Sequence, residues 1–132
     1  MVVGLLLLVV GCSSMRVSSK DYPIHTYEQP MDLVYLKTYE ALSKYDEWVP
    51  NLTDKTNGIN EVRNIKYANL LDFDTQLARF VIKMVSRTET SVELDTERSR
   101  CKGNGCLELL DSINATLSRL PAKPKPQTQP NP

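Results

Sequence analysis

The chain has 132 residues, 16 basic against 16 acidic side chains, and 41% hydrophobic residues. A formal net charge of zero supplies no field to draw it onto a polyanion, which disfavours nucleic acid as a partner. Without its two compositionally biased ends the chain has roughly a hundred residues, enough for one domain with one core.

The first element is the stretch LLLLVVGCSS at residues 5–14. A helix crossing ~30 Å of hydrocarbon needs roughly 20 apolar residues, and the run over 2–10 reaches about half of that span. A short apolar run ending in small residues has the pattern of a secretory signal peptide. A buried strand is the other reading open to a run of this length.

Val9, Val10, Gly11 and Cys12 fill four positions that resemble the lipobox of bacterial lipoproteins, with small Gly11 leaving the bond before Cys12 accessible to a peptidase. The resemblance implies that residues 1–11 are a signal peptide removed between Gly11 and Cys12. It also implies that Cys12 carries a diacylglycerol on its thiol and an acyl chain such as palmitate on the new amino terminus. Ser13 in place of an acidic residue resembles the signal for export to the outer membrane, so the expected location is its periplasmic face, with the inner membrane as the other destination.

Residues 12–29 are small and polar with no apolar period, and read as a flexible tether reaching roughly 20 to 25 Å. Pro30 suits a first helical turn, and Met31, Val34, Tyr35, Thr38, Leu42 and Tyr45 recur at helical spacing, which predicts a helix to Asp46. Trp48 then opens a segment that Pro50 restricts to an edge strand, and residues 53–58, ending in Asn57-Gly58, form a turn. A strand over 59–67 follows, of imperfect alternation: Ile59, Ile65 and Tyr67 share one parity and Val62 takes the other.

Residues 69–75, with Asp72 and Asp74, read as a turn. The clearest strand comes next, with Ala78, Phe80, Ile82 and Met84 on one side and Arg79, Val81, Lys83 and Val85 on the other. Val92 and Leu94 mark the strand that returns. Asn104 is the expected N-cap of a last helix striped by Leu107, Leu110, Ile113, Leu117 and Leu120, and Pro121 ends it. Residues 121–132 form a proline-rich, polyproline-like tail. The architecture is therefore α+β: a domain over 30–120 built as helix, three- to four-stranded antiparallel sheet, helix, with both helices on one sheet face. In topology alone it resembles small α+β domains of outer-membrane assembly lipoproteins.

Cys101 and Cys106 would meet an oxidising compartment in an exported chain, and Gly103 and Gly105 give the short loop the backbone freedom to close. A structural disulfide is expected, stabilising by about 2 kcal/mol in the chain-entropy model, with free thiols in a reducing envelope as the alternative. A redox centre favours C-x-x-C, and zinc needs about four ligands whereas the single histidine, His25, lies in the tether.

Aligning Gly58 with the glycine of an EF-hand loop puts Lys55 and Asn64 at ligand positions, which does not fit calcium. No nucleophile motif is present, and neither a metal nor a cofactor is expected. Arg98, Arg100 and Lys102 form a small basic cluster beside the cysteine loop. The expectation is a non-catalytic, lipid-anchored periplasmic protein that binds another envelope component, a protein, through the exposed sheet face, the Trp48 edge, or Arg100 and Lys102. The alternative is a small inhibitor or immunity-type lipoprotein that blocks an envelope-active enzyme with its cysteine loop.

Overall fold

The computed structural model describes residues 22–66 and 76–121. Gly11, Cys12, the acidic pair Asp72 and Asp74, and the tail beyond Pro121 lie outside the described residues. The chain order is β1 (His25–Tyr27), α1 (Met31–Ser43), β2 (Trp48–Asp54), β3 (Ile59–Asn64), β4 (Leu77–Met84), β5 (Thr90–Leu94) and α2 (Gly105–Ser118). The strands form one antiparallel sheet of order β1-β5-β4-β3-β2, an α+β fold with five strands where the sequence suggests three or four.

The added strand is β1, inside the segment read as tether. His25 pairs with Val92 and Tyr27 with Thr90, and the Thr90 hydroxyl donates to the Gln29 carbonyl at 2.8 Å. Three residues are too few for a period of two to stand out, so tertiary pairing alone defines this strand.

Ala78, Phe80 and Ile82 of β4 are buried together with Val92 of β5, Val34 and Leu42 of α1, and Leu109, Leu110 and Ile113 of α2, in one core that holds both helices on one side of the sheet. Met84 shares their parity but is 62% exposed, so the strand runs on past its helical cover. On β3 the inward parity belongs to Asn60, Val62 and Asn64, and Ile65 is exposed. Asn60 spends its Nδ2 donor on the Tyr35 carbonyl of α1 at 3.3 Å, and this polar use of a core position explains the blurred alternation.

Helix α1 stops at Ser43, short of Asp46, where the Ser43 hydroxyl turns back to the Tyr39 carbonyl at 2.8 Å. Asn104 stands at the start of α2, but its side chain makes no capping hydrogen bond. That end is held by the bonded pair Cys101 and Cys106, with Cα atoms 5.7 Å apart.

The β2–β3 turn is built by two residues. The Asp54 carboxylate accepts from the Asn57 amide at 3.1 Å and from Asn57 Nδ2 at 2.7 Å, and these bonds, the side-chain one foremost, hold its carboxyl below the usual range. Gly58 has φ +66°, its carbonyl accepts from the Ile82 amide at 2.7 Å, and a Cβ there would collide with the Ile82 carbonyl oxygen. Gly58→Ala is therefore expected to destabilise by at least ~1–3 kcal/mol, read as a lower urea midpoint; an unchanged midpoint would contradict this packing.

Tyr27 ties β1 to α2 through its hydroxyl on Asn114 Oδ1 at 2.9 Å, and burial pushes its pKa up to about 12. The folded protein thus keeps this proton to higher pH than the unfolded chain does. Its contribution is complete below about pH 10, the ordinary tyrosine value, and is lost as pH rises through about 12. Tyr27→Phe is expected to cost about 1 kcal/mol at neutral pH and to flatten the alkaline fall in denaturation midpoint.

Candidate interaction surface

Because strand residues alternate, fixing Phe80 and Ile82 in the core sends Arg79, Val81 and Lys83 to the opposite side. Registry sets Glu61 opposite Arg79, and aligns Ile59, Val81 and Glu93 across three strands. Among the described residues no helix packs on this face.

Its centre is a charged pair. Arg79 Nε donates to Glu61 Oε1 at 2.8 Å, with side chains 17% and 5% exposed. Asn51 Nδ2 donates to the other carboxylate oxygen at 2.8 Å. Asn51 is free to do so because the β2 register shifts between Pro50 and Leu52, a bulge that takes it out of the pairing. With both oxygens occupied, Glu61 is a structural anion and not a free general base.

The chain after β5 forms a tongue beside β4. The Asp95 amide bonds the Arg79 carbonyl at 2.7 Å, the Arg79 amide bonds the buried Ser99 hydroxyl at 2.9 Å, and Leu77 and Arg100 exchange backbone bonds at 2.9 and 2.7 Å. Between these ties the Asp95 carboxylate accepts the amides of Glu97 and Arg98, each at 3.2 Å, which turns residues 96–98 outward.

Glu97 borders a cleft on either side. One, of about 600 Å³, is lined by Glu61, Leu77, Arg79, Glu97, Arg98 and Arg100. The other, of about 410 Å³, includes Val81, Lys83, Glu93, Asp95 and Glu97. Arginine dominates the first, since one of its carboxylates is consumed by Arg79, whereas carboxylates dominate the second, where Lys83 is paired with Glu93. The free sheet face is sorted by charge along its length.

Trp48 is not available as an interaction edge: it is 6% exposed and packs in the core beside Gly105, because the first residue of β2 turns inward opposite Asn64. Arg100 is exposed and lines the arginine cleft. Lys102 is exposed on the cysteine loop, its amide donating to Gln76 Oε1 at 3.3 Å, and does not line that cleft. Cys106 is fully buried and Cys101 half-buried. Sequence reasoning missed Asn51 and Glu61; the signal for Arg79 was its off-core parity in β4. Among the described residues no three His, Cys, Asp or Glu side chains gather as a metal site.

Removing either member of the Glu61–Arg79 pair leaves the other buried without a counter-charge. Glu61→Ala or Arg79→Ala is expected to cost about 3–5 kcal/mol, and Glu61→Leu with Arg79→Met together far less. Strictly additive denaturation energies would show that the pair is not coupled.

No known protein family matches the chain, and no curated protein does. Among solved structures, the Zhui aromatase/cyclase from Streptomyces sp. R1128 is similar over 74% of this chain and 83% of that one, at 13% identity and a TM-score of 0.29.

Proposed function

We propose that the chain is a non-catalytic lipoprotein of the bacterial envelope, anchored through Cys12 to the periplasmic face of the outer membrane, that binds another envelope protein through its free sheet face. The observation that carries this reading is the charge-sorted surface. A face with a fixed ion pair, arginines on one side of a tongue and carboxylates on the other supplies orientation and partner choice, the qualities expected of a recognition surface. The lipobox-like Val9-Val10-Gly11-Cys12 supports the anchor. Each buried methylene of its acyl chains contributes ~0.8 kcal/mol of membrane attachment, and confinement to the membrane raises the effective concentration of a partner there.

The exposed segment 102–104, closed at its base by the disulfide, favours a second reading as an inhibitor or immunity-type lipoprotein. Both readings meet in one experiment. Mild crosslinking of whole envelopes is expected to recover one partner in near-equal amount with the wild-type chain, and far less with Cys12→Ala. A partner with lytic activity that falls on binding would select the inhibitor. Absence of any discrete partner, or unchanged mass and membrane fractionation of Cys12→Ala, would overturn the proposal.

A further inference from the structure

We infer that the arginine cleft is a carboxylate-binding site that takes acidic side chains of a partner protein, with Arg98 and Arg100 as the grasping groups and Arg79 as the fixed floor. This rests on the reading of the free sheet face as an interaction surface and names the chemistry of what it binds.

Three features carry it. Arg79 is preorganised: Glu61 takes its Nε, Asn51 holds Glu61, and the guanidinium makes no other ion pair among the described residues, so the side chain lines the cleft already oriented. A guanidinium held before binding loses less freedom when a carboxylate arrives. Arg98 and Arg100 are exposed and make no ion pair among the described residues, although Glu97 directly precedes Arg98 in sequence. Their backbones are nonetheless fixed, Arg98 by the Asp95 carboxylate and Arg100 by both bonds to Leu77, so the cleft presents forked donors from an anchored strand extension. Finally, Leu77 gives the cleft an apolar wall, which suits the methylenes of a glutamate better than a bare inorganic ion.

The carboxylates of the second cleft have no such supply of unpaired donors beside them. Lys83 is engaged by Glu93, and the Asp95 carboxylate is engaged by the tongue's own amides. An acidic segment is therefore steered to the arginine side of Glu97 and repelled from the other, which gives the site a direction as well as a charge preference.

The test uses the full chain in nonionic detergent micelles and a capped, fluorescent hexaglutamate peptide at low salt. The wild-type chain is expected to bind it saturably. Arg98→Glu with Arg100→Glu should weaken binding at least tenfold, whereas Arg87→Glu with Arg119→Glu, which changes net charge equally at exposed sites elsewhere, should weaken it less than threefold. Arg98→Lys with Arg100→Lys should fall between, because a point charge lacks the fork. Unchanged denaturation midpoints show that the variants remain folded.

Equal losses in the two charge-reversed pairs would overturn the site, as would displacement of the peptide by glycerol 3-phosphate below the peptide's own Kd, which would mark a phosphate site. Envelope crosslinking with the Arg98→Glu, Arg100→Glu chain separates the two levels. A partner still recovered in full overturns the carboxylate site and leaves the interaction role standing; specific peptide binding with no partner from the wild-type chain overturns the role and leaves the site.

Discussion

The period-two alternation of β4 governs both halves of this molecule. Ala78, Phe80 and Ile82 must face the helices, and the backbone then has no freedom to place Arg79, Val81 and Lys83 anywhere but on the far side. A one-residue slip would put Arg79 in place of the buried Phe80, or Lys83 in place of the buried Ile82. Flanked by β3 and β5, this strand converts the hydrophobic demand of the core into the positions of charges on the opposite surface.

Those charges are then organised by irregularities in the strands on either side. On β2, a bulge at Pro50 releases Asn51 to complete the shell of Glu61; beyond β5, the Asp95 carboxylate folds residues 96–98 into a tongue and Ser99 returns the chain to β4. Regular pairing at these two places would leave Glu61 half-satisfied and the face undivided. Departures from ideal sheet geometry thus produce the two clefts, in keeping with the use of bulges to redirect side chains. The paired Glu61 and Arg79 do not make the fold cheap to form, since desolvating both charges offsets much of their attraction, but they fix the geometry of the surface around them.

How much of this the sequence disclosed follows from where periodicity was strong. The alternation of β4 and the helical stripes of Val34, Thr38 and Leu42, and of Leu110, Ile113 and Leu117, are patterns that burial alone imposes, and each of these residues is buried. Asn60 and Asn64 facing inward obscured β3, while His25–Tyr27 is too short to carry a pattern at all. Trp48 misled because Pro50 correctly marks β2 as an edge, yet an edge strand still turns alternate side chains into the core. The Arg98, Arg100 cluster was visible as composition. Its partner in the site, Arg79, lies on another strand, and only registry shows that Leu77 and Arg100 exchange backbone bonds and that Glu61 stands across from Arg79.

The Cys101–Cys106 bond has a mechanical meaning for this surface. Arg100 adjoins Cys101, and Cys106 is sealed in the first turn of α2, itself packed against α1 and the sheet. A pull exerted on Arg100 therefore enters the helical layer through a covalent link one residue away, alongside the hydrogen bonds to Leu77. The tongue's far end behaves as a moored line with its cleat set in the core, so tension applied there loads the whole domain before it can peel the last strand extension from the sheet.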